Sequence, residues 1–181
     1  IPILEVVLRQ LKYHGVTEVI IAVNHLAELI MAFFGDGEKL GLKIRYSIEN
    51  KPLGTAAPIA QIDDLDDNFL VMNGDVLTTL NFKNLFDTHL KKENDITIST
   101  YKKEIKIDLG VVKIDNSKFI DYIEKPTYFF DISMGIYAMK KECLKMIPEY
   151  QKYDIPEFIL KLQKEKKKIY CYGENCYWLD I

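Results

Sequence analysis

The chain is poor in the residues that build disulfide frameworks, metal clusters and nucleic-acid surfaces. Its 181 residues include three cysteines, three histidines and one tryptophan, and the formal net charge is -3. Three cysteines without metal-ligand spacing favour reduced thiols, and therefore a cytoplasmic protein. The negative charge argues against a nucleic-acid partner, which needs a basic face. No apolar stretch approaches the roughly 20 residues of a membrane span, so we expect a soluble protein without a membrane partner.

The first half of the chain alternates between helical and extended patterns. Apolar residues with helical spacing alternate with short apolar runs, which is typical of a parallel α/β sheet with right-handed crossovers. The length suits one compact core, so we predict a single domain over residues 1–181. The predicted helices are Ile3–Tyr13, 26–34, 55–61 and 82–90, and the predicted strands are Glu18–Val23, Lys43–Ile48, 69–72 and 96–101.

After residue 101 the pattern changes to short strands joined by turns, which predicts an antiparallel addition to a mostly parallel sheet. The predicted strands are 110–114, 119–124, 133–139, 169–172 and 177–179, and the predicted helices are 142–147 and Ile155–Lys164. A doubly wound sheet normally begins with a strand and a ligand-binding loop, whereas this sequence opens on a helix and closes on a strand. We therefore expect the domain to be truncated at both ends, with an N-terminal strand and loop missing.

The segment Asn73-Gly74-Asp75, called NGD below, follows the short apolar strand 69–72. In α/β sheets, ligands bind just beyond the carboxyl ends of such strands. Gly74 allows the backbone to approach a ligand closely, and Asp75 supplies a carboxylate suited to a hard cation. For this segment alone, an ordinary turn is the competing interpretation.

Three further segments carry groups that suit phosphate chemistry. PLGTA (52–56) opens a predicted helix, whose free N–H groups would suit an anionic ligand. EKP (124–126) carries Lys125, a point charge suited to phosphate, and Pro126 is expected to hold that lysine extended. WLD (178–180) adds Asp180 at a strand end. Taken singly, each segment is also compatible with an ordinary turn or strand end.

PLGTA, NGD, EKP, MGIY (134–137) and WLD, in this order, resemble the motifs of sugar-1-phosphate nucleotidylyltransferases, especially mannose-1-phosphate guanylyltransferases. The resemblance covers the whole chain and implies a Rossmann-like nucleotide-diphospho-sugar transferase fold. It implies that Asp75 and Asp180 bind a catalytic Mg²⁺, and that Lys125 holds the sugar phosphate. The remaining site residues implied in this way are Gly110, Glu124 and Ser133 for the sugar phosphate, and Glu49, Leu53, Gly54, Thr55 and Gly74 for the nucleotide.

Two departures from the family pattern affect these expectations. The family's Gly-rich loop, with its arginine and following Pro-Lys-Pro, is absent, so we expect the chain as written to show no useful turnover. Ser133 stands where many relatives carry asparagine, and Leu109 where many carry tyrosine, which leaves the sugar open. The carboxylate of Glu49 can accept two hydrogen bonds from guanine, whereas an amide would suit thymine or uracil better. GTP is therefore the favoured nucleotide.

Two other classes of function remain open from the sequence. A nucleotide-sugar glycosyltransferase would typically carry an Asp-x-Asp pair, but Asp75 is followed by Val76 and Leu77. A non-catalytic regulatory subunit would bind sugar phosphates without converting them, and a homo-oligomer is compatible with any of these functions. The histidines at positions 14, 25 and 89 have no metal-ligand spacing, so we expect no functional role for them. Pyrophosphate release would support the nucleotidylyltransferase alone.

Overall fold

The computed structural model describes residues 1–24, 26–49, 51–149 and 151–180. Within these ranges the α-helices are α1 (Ile3–Tyr13), α2 (Ala27–Phe34), α3 (Ala57–Ala60), α4 (Phe82–Lys91) and α5 (Ile155–Lys164). The strands are β1 (Glu18–Val23), β2 (Lys43–Ile48), β3 (Asn68–Met72), β4 (Val76–Thr78), β5 (Ile96–Lys106), β6 (Val111–Asp115), β7 (Lys118–Ile123), β8 (Thr127–Lys140), β9 (Ile169–Gly173) and β10 (Trp178–Asp180). Short 3₁₀ helices cover Glu38–Leu40 and Lys141–Met146.

The predicted bounds of α1, β1, β2 and α5 are confirmed, because each has a strong local pattern. In α1, Val7, Leu8 and Leu11 form one buried stripe, as the helical spacing required. Other parts of the prediction were incomplete or wrong in detail. The predicted helix at 142–147 is a 3₁₀ helix, β4 was not predicted, and β5 and β8 are longer than predicted.

The sheets are small and mixed, so the prediction of a mostly parallel sheet is wrong. The parallel pairs are β1–β2 and β5–β9. Strand β8 runs antiparallel to both of its neighbours and separates β3 from β5, in the order β3-β8-β5-β9. The pairs β4–β10 and β6–β7 are also antiparallel. Pairing between strands distant in sequence depends on tertiary packing, which local periodicity does not report.

Strand β8 is covered by helices on both faces, because successive side chains point to opposite sides of a strand. Met139 packs with Phe158 of α5, while Ile136 packs with Val7 of α1 and Leu85 of α4. These five side chains are at most 1% exposed. In the part of the chain that the structure describes, no helix combines the length and apolarity that crossing a bilayer requires.

A cleft of about 1230 Å³ lies between β1 and β3. Every residue of β1 lines this cleft, as does every residue of β3, and α1 supplies part of its wall. Among the described residues β1 pairs only with β2, and β3 pairs only with β8. Each strand therefore presents one edge without a neighbouring strand, and the two edges border the same cleft.

Candidate functional site

NGD and MGIY meet at the end of β3. The Asn73 N–H donates to the carbonyl oxygen of Gly135, at an N···O distance of 3.0 Å. Gly135 has a φ of +72°, and a Cβ atom there would lie 2.7 Å from Asn73 Nδ2. Glycine therefore permits both the backbone conformation and the close contact. Asn73, Gly74 and Asp75 are exposed, whereas Met134, Ile136 and Tyr137 are buried, so the accessible NGD segment rests on a buried MGIY segment.

Strand β10 brings WLD beside NGD. Its register with β4 pairs Asp180 with Val76, the residue directly after Asp75. The Trp178 Nε1–H donates to the carbonyl oxygen of Met134 at 3.1 Å, which ties WLD to MGIY as well. The two predicted metal ligands, Asp75 and Asp180, therefore occupy neighbouring backbone regions. Strand β4 has only three residues, too few for its pattern to be recognised in the sequence.

The donor chemistry of the two aspartates suits a magnesium ion. Both side chains are exposed at the end of the strand pair. Magnesium is commonly bound by one or two carboxylates, with water and substrate phosphates as its other ligands. The described residues contain no group of three or more His, Cys, Asp or Glu side chains arranged to hold a metal. A site built on Asp75 and Asp180 would therefore depend on water and phosphate oxygens for its remaining ligands.

Most amides of PLGTA and of the α3 start already have hydrogen-bond partners, so the expectation of free N–H groups there was wrong for these amides. The Thr55 N–H donates to Asp154 Oδ1 at 2.9 Å. The N–H groups of Ala56 and Ala57 donate to the carbonyl oxygen of Tyr153, at 2.9 and 3.2 Å. The start of α3 is therefore docked on the segment before α5. That segment supplies the acceptors that an anionic ligand was expected to supply.

Glu49 stands where β2 ends beside β1. Its backbone N–H donates to the carbonyl oxygen of Val23 at 2.9 Å. Its Oε2 atom accepts from the Leu53 N–H at 3.3 Å, so the side chain turns back over the loop that leads to PLGTA. Asn50, within this predicted nucleotide loop, lies outside the described residues, as does His25.

The hairpin of β6 and β7 brings Gly110 and Glu124 together. The pair at the open end of the hairpin joins Val111 to Ile123, so Gly110 and Glu124 lie next to this pair, one on each chain segment. The Tyr122 hydroxyl donates to Glu124 Oε2 at 3.1 Å. A Cβ atom on Gly110 would lie 1.8 Å from that same hydroxyl oxygen, so any larger residue at position 110 would displace the tyrosine.

Lys125 is not extended, contrary to the prediction from Pro126. Its φ is +45°, in the left-handed region that non-glycine residues rarely adopt. The short connection between β7 and β8 overrides the usual preference of a residue before proline. Within the described ranges, no hydrogen bond or ion pair joins Lys125 to Asp75 or Asp180. Further along β8, Ser133 Oγ lies 2.9 Å from the Tyr137 hydroxyl.

Two of the three cysteines are poor candidates for a nucleophile. Cys143, Cys171 and Cys176 are free thiols. Burial is the main cause that raises the pKa of Cys143, to about 11, and burial also raises the pKa of Cys176. Both thiols are therefore protonated at neutral pH, and a protonated thiol is a poor nucleophile.

Sequence reasoning missed Tyr153 and Asp154, the residues on which PLGTA docks. Asp154 with Glu157 three positions later, and a proline in the first turn, is a recognisable signature of a helix start. The signature predicts where α5 begins but not what else Asp154 contacts. Its contact with Thr55 joins residues 99 positions apart in the chain, which only the folded structure brings together.

Comparison with known proteins gives one consistent family. The family model described as "Nucleotidyl transferase" matches residues 1–181. The chain is 32% identical to a UTP–glucose-1-phosphate uridylyltransferase from Synechocystis sp., covering 99% of this chain and 52% of that protein. It is also 32% identical to the catalytic subunit beta of a mannose-1-phosphate guanylyltransferase from Dictyostelium discoideum, covering 92% of this chain and 48% of that protein. The chain thus spans about half the length of these curated relatives.

Solved structures show the same fold. The crystal structure of HddC from Yersinia pseudotuberculosis matches with a TM-score of 0.75 at 24% identity, over 99% of this chain and 80% of that one. A putative glucose-1-phosphate thymidylyltransferase from Bacillus anthracis matches with a TM-score of 0.75 at 19% identity, over 99% of this chain and 76% of that one. At these identities, the structural likeness establishes the mixed α/β fold.

Proposed function

Because the chain belongs to the nucleotidyl transferase family, we propose that its full-length protein joins a nucleoside triphosphate to a sugar 1-phosphate. A phosphate oxygen of the sugar 1-phosphate forms a bond to the α-phosphorus of the nucleotide. The bond from that phosphorus to the leaving pyrophosphate breaks, and a nucleotide-diphospho-sugar is released. The attacking phosphate is already anionic at neutral pH. The protein must therefore align two anions and offset their charge, and it needs no general base.

The neighbouring positions of Asp75 and Asp180 carry this proposal. They come from motifs far apart in sequence, yet Asp180 lies opposite the residue that follows Asp75. Two exposed carboxylates at one strand end supply oxygen ligands of the kind that Mg²⁺ prefers. A bound Mg²⁺ would supply neutralisation of phosphate charge at this point. We assign Asp75 and Asp180 as its protein ligands, with Gly74 allowing the nucleotide to approach the backbone.

Lys125 is proposed to hold the phosphate of the sugar substrate, as a point charge that offsets repulsion between the two anions. Glu124, Gly110 and Ser133 are proposed to contact the sugar itself. The contact between Tyr122 and Glu124 orients that carboxylate within the β6–β7 hairpin.

We propose GTP as the nucleotide because the Glu49 side chain is a carboxylate. A carboxylate accepts hydrogen bonds only, and guanine presents two adjacent donors on one edge. The loop from Glu49 through Leu53 and Gly54 to Thr55 is proposed to hold the base. Uracil remains the competing base, because a uridylyltransferase is among the relatives at 32% identity.

The test is pyrophosphate release by full-length protein, supplied with Mg²⁺, each of the four nucleoside triphosphates and a panel of sugar 1-phosphates. Asp75→Asn and Asp180→Asn should each lower the rate at least a hundredfold, because two-carboxylate metal sites depend on both charges. Asp87→Asn is the matched control, since Asp87 is an exposed aspartate of α4 that pairs with Lys83. It should retain full activity. Binding of both substrates without pyrophosphate release would support a regulatory subunit instead, and nucleotide-sugar consumption without it would support a glycosyltransferase.

We further propose that another β-strand occupies the cleft between β1 and β3 in the full-length protein. The two edges that border the cleft lack a neighbouring strand among the described residues. A strand between them would satisfy both rows of backbone groups, which are costly to leave unpaired in an apolar setting. Residues preceding Ile1 are the proposed source, since Pro2 and Ile3 line the cleft.

A further inference from the structure

The N-terminus of α5 and PLGTA form a reciprocal set of hydrogen bonds. Asp154, the N-cap residue of α5, accepts from the Thr55 N–H at 2.9 Å, and its Oδ1 also lies 3.3 Å from Thr55 Oγ1. In return, Thr55 Oγ1 accepts from the Ile155 N–H at 2.9 Å. That N–H is one of the amides that a helix start leaves without an internal partner. Each segment therefore supplies a side-chain oxygen that accepts a hydrogen bond from a backbone N–H of the other segment.

The contact explains why glycine stands in the middle of PLGTA. Gly54 has a φ of +87°, and a Cβ atom there would lie 2.5 Å from Asp154 Oδ1 and 2.7 Å from the Tyr153 carbonyl oxygen. The loop backbone thus lies directly against Asp154, without space for a side chain. The Tyr153 N–H also donates to the carbonyl oxygen of Leu53 at 2.9 Å. Backbone and side-chain contacts together fix residues 53–57 on the start of α5.

We propose that Asp154 is a positioning residue for nucleotide binding: its carboxylate holds Gly54 and Thr55 in the conformation that receives the base. This inference rests on the proposed function, in which the loop from Glu49 to Thr55 holds the nucleotide. Asp154 acts through the loop rather than on the reacting atoms. Removing the Asp154 carboxylate therefore weakens binding of the nucleotide. Binding of the sugar phosphate, at the separate region of β6 to β8, is unchanged.

The test compares three variants of the full-length protein by steady-state kinetics of pyrophosphate release. Asp154→Ala should raise the KM for nucleotide roughly ten- to a hundredfold, the effect expected when a binding group moves by about 1 Å. The KM for sugar 1-phosphate and the kcat at saturating nucleotide should stay within about threefold of wild type, because neither the sugar site nor the reacting groups change. Asp154→Asn keeps the Oδ1 acceptor and should restore most of the nucleotide affinity.

Asn81→Ala is the matched control for loss of a helix-start contact. The Asn81 side chain caps α4 by accepting from the Asn84 N–H at 3.0 Å, away from PLGTA. It should lower the thermal midpoint without changing the KM for nucleotide. An unchanged nucleotide KM in Asp154→Ala, or equal rises in the KM values for both substrates, would overturn the positioning role.

Amide hydrogen exchange separates this inference from the proposed function. If wild-type protein releases no pyrophosphate, the proposed function fails, but the loop can still be examined. Asp154→Ala should then speed exchange of the Thr55 and Ala56 amides at least tenfold relative to Asn81→Ala, because local opening governs exchange. Equal exchange in the two variants would show that Asp154 does not hold the loop.

Discussion

Replacing Gly135 by alanine tests the contact that joins MGIY to NGD. At a φ of +72°, any residue with a Cβ atom adopts the left-handed conformation at a cost of roughly 1–2 kcal/mol. The new methyl group would also lie 2.7 Å from Asn73 Nδ2 and 3.0 Å from Asn73 Cγ. Overpacking of this kind costs about 1–3 kcal/mol, so we expect a total loss of about 2–5 kcal/mol in the free energy of unfolding.

Gly15→Ala provides the matched control for this experiment. Gly15 has a φ of +91°, but a Cβ atom there would meet nothing within 4 Å. It should therefore show only the backbone cost, about 1–2 kcal/mol. The difference between the two variants isolates the steric contact with Asn73, and adding Asn73→Ala to Gly135→Ala should recover most of that difference.

Urea unfolding and pyrophosphate release by full-length protein are the assays. Because Asn73 leads directly into Gly74 and Asp75, its displacement should lower kcat/KM at least tenfold per folded molecule. Gly15→Ala should leave kcat/KM at the wild-type value. Equal destabilisation by Gly135→Ala and Gly15→Ala would refute the steric argument. A destabilised Gly135→Ala with full activity would show that the contact does not position NGD.

Three further predictions concern buried histidine, base selectivity and the cleft. Desolvation, followed by the nearby Lys140 charge, lowers the pKa of His89 to about 4. Neutral His89 therefore makes its full contribution to the free energy of unfolding above the unfolded pKa of 6.5, and this contribution is lost as pH falls from 6.5 towards 4. His89 should therefore make the free energy of unfolding about 2 kcal/mol lower at pH 5 than at pH 7.5 in urea titrations, and the difference should shrink in His89→Gln. Glu49→Gln should reduce the preference for GTP over UTP in full-length protein, and an unchanged ratio of kcat/KM values would contradict the base assignment. A chain extended before Ile1 should have a higher thermal midpoint and faster pyrophosphate release than residues 1–181 alone. Comparable activity of the two would show that the catalytic centre has been misplaced.

The sequence alone determined the local elements and the order of the motifs. Helix α1 and strands β1 and β2 could be predicted with their bounds, because their apolar periodicity is strong and depends on nearby residues. The family could be predicted as well, since the five motifs keep their order across the whole chain. The grouping of NGD with WLD was expected from the resemblance, but the register that produces it required β4, which local pattern did not reveal.

Only the tertiary structure decided the pairings that cross long stretches of chain. Strand β8 enters the sheet antiparallel between β3 and β5, and its two faces are buried by helices that lie far apart in the sequence. Lys125 adopts a left-handed conformation where its neighbour Pro126 predicted an extended one, since the connection between β7 and β8 outweighs the local preference. The Thr55 and Ala56 amides of PLGTA donate to Asp154 and Tyr153, because the fold places the start of α5 against PLGTA. Hydrogen bonds to distant groups are set by three-dimensional proximity, which sequence spacing does not encode.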